Sequence, residues 1–129
     1  MANYGEFPIM DDEKFNELYI DNLDGAVEVL TELCELFFSH GGGLVESGTA
    51  LFESRDFEGL SRMGHTLKSN AASFGLERLR QISFDIEKFD FAGSDDEAIQ
   101  EQLKIISSIF DESKDCLAEK LNQCKAAAA

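Results

Sequence analysis

Arg62-Met63-Gly64-His65-Thr66-Leu67-Lys68-Ser69-Asn70, running on through Ala71, Ala72 and Ser73 to Phe74-Gly75, decides how the chain is read. Wound as a helix at about 100° per residue with His65 at zero, Leu60, Met63, Leu67, Ala71 and Phe74 fall between about 160° and 240°. Glu58, Ser61, Arg62, Lys68, Ser69 and Ala72 all fall within about 60° of His65. One side of this helix is therefore apolar. The other holds a histidine out to solvent among small residues and two cations.

Helical spacing recurs outward from this stretch. Ser54-Arg55-Asp56 marks the turn before it, with Asp56 as N-cap, and Gly75 is placed to end it as a left-handed C′ residue. Upstream, Val27, Leu30, Cys34, Phe37, Leu44, Val45, Leu51 and Phe52 form a seven-like repeat with a gap at Gly41-Gly42-Gly43. A glycine costs a helix about 1 kcal/mol against alanine, so two shorter helices with a glycine turn compete with one long helix. The apolar phase resumes in register from Phe37 to Leu44, which favours the single helix. Downstream, Leu76, Leu79, Ile82, Ile86 and Phe89 share a face that closes at Phe91-Ala92-Gly93. Ser94-Asp95-Asp96-Glu97 reads as a capping box opening a last helix with Ile99, Leu103, Ile106, Phe110, Leu117 and Leu121 inward. A short first helix is expected from Asp11–Asp12, carrying Phe15, Leu18 and Tyr19 inward. Asp21, Asn22 and Asp24 then supply a break and the next N-cap. The only proline, Pro8, precedes every periodic segment. The pattern predicts an all-α fold, an antiparallel four-helix bundle with a short additional N-terminal helix, over residues 11–124. Residues 1–10 and 125–129 are expected to be terminal extensions, and Ala126–Ala129 to have no core role.

A chain of 129 residues is one domain's worth, large enough to remove roughly two-thirds of its unfolded surface from water. No apolar run approaches the ~18–20 residues of a membrane span. Met1–Met10 has neither a basic n-region nor a long apolar h-region, so a secretory signal is not expected. Cys34, Cys116 and Cys124 are odd in number and lack metal-type spacing, which points to reduced thiols and a cytoplasmic setting. A net charge of −15 argues against nucleic-acid and anionic-membrane partners. Its distribution says more: residues 1–54 carry −11 and residues 81–129 carry −6, whereas residues 55–80 carry +2. The one stretch that could welcome an anion contains His65.

Enzyme signatures are missing. No P-loop, Gly-x-Gly-x-x-Gly or kinase loop is present, so no ATP site is expected. Neither His40 nor His65 has a glutamate three residues before it, as a di-metal bundle requires (Phe37 and Arg62 stand there), and no metal site is expected. The acids fall on no predicted buried face and read as solvated surface. His40, beside the glycine run, reads as a surface residue. His65 is different, because an imidazole with an ordinary pKa of about 6.5 is mostly neutral at pH 7 and can act as a nucleophile. Lys68 and Arg62, three residues to either side, could place positive charge near a phosphoryl group on it. The bland alternative is an exposed histidine that packs or caps locally.

The run His65-Thr66-Leu67-Lys68, the small residues after it and Gly75 ten positions on resemble the histidine-containing phosphotransfer (HPt) domains of multistep phosphorelays. Leu76-Glu77-Arg78-Leu79 is similar to the start of that family's next helix. The helix pattern extends the resemblance over roughly residues 11–121, and 60–79 carries it most closely. Ser69 stands where the family usually has glycine, and Asn70 where it has serine or alanine. The resemblance implies a bundle whose His65 accepts a phosphoryl group through Nε2 from a receiver domain and passes it to another. It implies Lys68 as the charge that offsets the phosphoryl oxygens, and Ser61, Arg62, Ser69 and Ala72, with part of the second helix, as the docking surface. The implied partners are receivers of response regulators or of a hybrid sensor histidine kinase. They would bring Mg²⁺, with no cofactor held by this chain and no autokinase activity. A monomer is expected. The competing readings are a bundle adaptor that binds its partner without transfer, and an anion-binding regulatory bundle.

Overall fold

Asp11 accepts hydrogen bonds from the backbone amides of Glu13 and Lys14 and so opens helix α1 (Asp12–Asn16). The structure, a computed structural model, describes residues 3–129; Met1 and Ala2, part of the expected N-terminal extension, lie outside the described residues. From α1 the chain continues into a π-helical stretch, Glu17–Asn22. Phe15 is fully buried, and Leu18 and Tyr19 pack against the core beside it. Asp24 and Gly25 then turn the chain at positive φ, 51° and 71°. Asp24 is not the expected N-cap. Ala26 holds that position without a side-chain bond, because the aspartate is taken up in the left-handed turn that short polar residues tolerate.

Helix α2 (Val27–Glu53) is continuous through its three glycines. Gly41 is buried, and a Cβ there would stand 2.8 Å from Cε2 of Phe110. The glycine is thus a seat for an aromatic ring, and packing outweighs helix propensity at this point. Helix α3 (Phe57–Phe74) begins at Asp56, whose side chain accepts from the Gly59 amide, and ends at Gly75 with φ 74°. Leu60, Met63, Leu67, Ala71 and Phe74 are all buried, as their spacing predicts. Each large aliphatic side chain removed from water in this way contributes about 1.5–3 kcal/mol. Helix α4 (Glu77–Glu87) follows almost at once and buries Leu79, Ile82 and Ile86.

Helix α5 (Asp96–Ala128) starts one residue later than the capping box predicts. Asp95 is the N-cap, accepting from the Ala98 amide, while the Ser94 hydroxyl donates back to the Asp90 carbonyl. The glutamate is then out of phase for a reciprocal bond. Asp96 instead receives both guanidinium nitrogens of Arg55 (2.7 and 2.8 Å), fastening the α2–α3 turn to the start of α5. Ala126 to Ala128 continue α5 as an exposed helical end.

Contacts run α2 to α3, α3 to α4, α4 to α5 and α5 to α2, so the helices close an up-and-down bundle with short connections. Phe37 lies at the centre, its ring 5.3 Å from that of Phe74 and 5.5 Å from that of Phe110. The segment before α1 is not loose. Arg78 donates from Nε to the carbonyls of Tyr4 and Phe7, its amide donates to the Pro8 carbonyl, and the Tyr4 hydroxyl donates to Asp85. Among the described residues no helix is long and apolar enough to cross a membrane, and no strand occurs.

Candidate functional site

His65 stands near the middle of α3 with its side chain 59% exposed. Nδ1 lies 2.7 Å from Oε2 of Glu87 at the end of α4, and Nζ of Lys68 lies 2.6 Å from the other oxygen, Oε1. A single carboxylate, itself only 14% exposed, joins the histidine and the lysine. Hydrogen bonds from Lys68, and next from His65, hold the Glu87 carboxyl below the usual carboxylate range. At neutral pH it is ionised and can only accept. Facing an acceptor, Nδ1 is the donor of this bond, and Nε2 has no hydrogen-bond partner among the described residues.

Gly64 is what lets Glu87 come so close. A Cβ on it would stand 2.7 Å from the Glu87 amide nitrogen and 2.7 Å from the Ser83 carbonyl oxygen, so α3 and α4 touch backbone to backbone beside the histidine. The Ser61 hydroxyl donates to the Glu87 carbonyl at 2.7 Å and fastens the same end of α4. Lys68 also lies 5.6 Å from the centroid of the half-exposed Phe84 ring, which keeps its ammonium on the α4 side. Arg62 is exposed and, among the described residues, reaches only Glu58, loosely, at 3.7 Å. Ser69 and Ala72 are exposed on the His65 face, and the Ser69 hydroxyl donates to the His65 carbonyl at 3.3 Å. Of the residues singled out in the sequence, His65, Lys68 and Ser61 thus converge on Glu87, while Arg62, Ser69 and Ala72 surround the ring without joining that network.

Two expectations are corrected. The cations of residues 55–80 do not gather into one positive patch. Arg55 is paired with Asp96, Arg78 holds the N-terminal segment and Glu112, and Arg80 pairs with Glu77. Only Arg62 and Lys68 flank the histidine. Nor are all the acids solvated surface: Glu77 is buried between Lys14 (2.6 Å) and Arg80 (2.9 Å), and Glu87 is largely covered. The sequence signal for Glu87 is faint. Ser83 and Glu87 lie one turn apart on the flank of α4's apolar stripe, and only Gly64, on another helix, admits them.

His40 is exposed, as expected, and it lines a groove of about 350 Å³ on the opposite flank of α3. Leu33, Leu36 and Phe37 of α2 form one wall of this groove, and Asn70 and Ser73 of α3 the other. Among the described residues no group of three or more histidine, cysteine or acidic side chains is placed to hold a metal ion.

No curated protein and no solved structure matches the chain. The family model of the Hpt domain matches residues 23–127, a span that takes in α2, α3, α4 and all but the last residue of α5 together with His65, Lys68 and Glu87, and the chain belongs to the Hpt domain family.

Proposed function

We propose that this chain is a phosphorelay intermediate: His65 takes a phosphoryl group from the aspartyl phosphate of one receiver domain and gives it to another. The observation that carries the reading is the ring itself. Its side chain is 59% exposed and its Nδ1 is held by an ionised carboxylate, which leaves Nε2 as the nitrogen for the phosphoryl group. In the transfer, the Nε2 lone pair forms the N–P bond as the P–O bond to the aspartate breaks, and the aspartate leaves as a carboxylate. Mg²⁺ belongs to the receiver's acidic pocket in this scheme. What this chain supplies is position, from a ring on a packed helix, and charge, from Lys68. The dianionic group on the ring competes with Glu87 for the Lys68 ammonium.

Ser61, Arg62, Ser69 and Ala72, with the α2 wall of the groove, form the docking surface in this reading. A monomer acting in the cytoplasm fits it. The adaptor alternative keeps the docking and lacks the transfer. Incubation with a panel of phosphorylated receiver domains separates the two. Acid-labile, base-stable label is expected on His65, and His65→Gln should lose all of it while still binding the receiver. Binding without label in the parent chain would leave the adaptor.

A further inference from the structure

Two cations flank His65 on α3, and they stand on opposite sides of it. Lys68 lies about 60° round the helix toward α4, and Arg62 about 60° the other way. The α4 side is fixed by Gly64, pressed against the Glu87 and Ser83 backbone, and by the Ser61 hydroxyl on the Glu87 carbonyl. Nδ1 of the ring is bound on that side, 2.7 Å from Glu87. An imidazole carries its two nitrogens on different edges, so a group on Nε2 projects away from α4, toward the flank of Arg62. Helical side chains also lean toward the N-terminus, which lays the ring over the turn of Ser61 and Arg62. The shared hold of Ser61 and His65 on Glu87 agrees with that lean.

The two cations also differ in what they must give up. Lys68 is 27% exposed and is one of two side chains bonded to a largely covered carboxylate, at 2.6 Å. Drawing it off would leave that covered charge short of a donor, which is costly. Arg62 is 68% exposed, and its partner Glu58 is an exposed acid 3.7 Å away. A loose surface pair of this kind contributes little, and water replaces the arginine at Glu58. Once freed, the guanidinium offers two parallel N–H groups to two phosphoryl oxygens, where an ammonium offers a point charge.

We infer that Arg62 is a phosphoryl-binding residue: when His65 is phosphorylated, the guanidinium leaves Glu58 and takes two oxygens of the group on Nε2, while Lys68 keeps its place on Glu87. The inference rests on the phosphoacceptor reading of His65 and divides the work of its two cations. Lys68 lends its charge from the α4 side, and Arg62 makes the direct contact. The exchange alters the docking surface as well. Before loading, Arg62 and Glu58 face a visiting receiver as a neutral pair. After loading, Arg62 is occupied and Glu58 stands bare.

The test loads the full chain, Arg62→Gln and Lys68→Ala with phosphoramidate, a small phosphodonor that needs no receiver. The bond from Nε2 to phosphorus forms as the donor's P–N bond breaks and ammonia leaves. The loaded fraction at a fixed ratio of phosphoramidate to ammonia, read by ³¹P resonance, compares the contacts of loaded and unloaded chain alone. Arg62→Gln should lower this equilibrium about threefold to fivefold, and Lys68→Ala should lower it less. In the parent, the Arg62 Nε–H resonance should move on loading, which a role in docking alone does not produce. An equilibrium in Arg62→Gln equal to the parent's, a larger loss in Lys68→Ala, or an unmoved Arg62 resonance would each overturn the inference. If His65 loads with these signatures but no receiver takes the group, the relay reading fails and Arg62 stands. If His65 is not loaded at all, both fail.

Discussion

Gly64 and Glu87 meet backbone to backbone, so closely that a Cβ on the glycine would lie 2.7 Å from the glutamate's amide nitrogen. The Ser83 carbonyl is equally near, and neither atom belongs to a side chain that could swing aside. Gly64→Ala gains about 1 kcal/mol of helix propensity, against an overpacking cost of typically about 1–3 kcal/mol where backbone must move. The net effect expected is a lower urea midpoint together with slower loading of His65, since α4 carries Glu87 away with it. A variant as stable and as readily loaded as the parent would show that the two helices have slack.

The glycines of α2 offer a cleaner comparison of the same two effects. Gly43 has open space where a Cβ would go, so Gly43→Ala should stabilise the chain by about 1 kcal/mol. At Gly41 the same methyl meets the buried Phe110 ring at 2.8 and 3.1 Å, and that ring is itself packed on Phe37. Overpacking there exceeds the propensity gain. Urea midpoints should move in opposite directions for the two variants. Movement in the same direction would contradict the packing account of Gly41.

Glu77 gives the fold an acid limb. Burial would raise its carboxyl, but hydrogen bonds from Lys14 and Arg80 prevail and hold it below the usual carboxylate range. A carboxyl lower in the folded than in the unfolded chain stabilises the fold above its unfolded value of about 4.3, and that contribution is lost as pH falls through the folded value. Glu77→Gln should therefore cost stability at pH 7. A loss of about 1–2 kcal/mol is expected, because the half-exposed Lys14 can return to water when its partner goes. The gap between variant and parent should narrow as pH falls below about 4 and close only below the folded value. A gap constant down to pH 2 would assign the loss to shape alone.

What a single helix can display was legible in the sequence. The five apolar residues of α3 are buried because a 3.6-residue repeat has only one face to bury, and Asp56 and Gly75 end the helix for local reasons. The continuity of α2 was legible for the same reason, since its apolar phase survives the glycines. What depends on another element was not. Whether Ser94 or Asp95 caps α5 turns on one bond to Asp90, and the partners that keep Glu77 and Glu87 charged while covered come from other helices, Lys14 for the first and Lys68 with His65 for the second. The hold of Arg78 on the carbonyls of Tyr4 and Phe7 leaves no periodic trace at all.

Neighbours in sequence should answer in opposite ways. Leu67 is fully buried and Lys68 lies off the apolar face. Leu67→Asp places a charge in the core without a partner and should unfold the domain, read as loss of the cooperative thermal transition. Lys68→Ala should leave that transition in place while slowing phosphoryl transfer or shortening the life of the phosphorylated form. A collapse of the melting temperature on Lys68→Ala would mean that its pairing with Glu87 is structural first.

Leu36 tests where the receiver sits. It is 52% exposed on α2, it lines the groove beside the histidine face, and Val29, Leu33 and His40 extend the same helical face at spacings of three and four residues. Single exposed apolar side chains are common on protein surfaces, but exposed Val29 and Leu36 with partly buried Leu33 between them make an apolar stripe where a partner loses water on docking. Leu36→Gln removes apolar surface from an open position, so stability should change by no more than about 0.5 kcal/mol. Loading by phosphoramidate should be untouched, because the ring and Glu87 lie on the other flank of α3. Affinity for a receiver, measured by calorimetry, should drop about tenfold, the effect of losing one well-placed apolar contact of roughly 1.4 kcal/mol. If Leu36→Gln binds and accepts from a receiver as the parent does, docking runs over the α4 side, and Phe84 becomes the residue to change next.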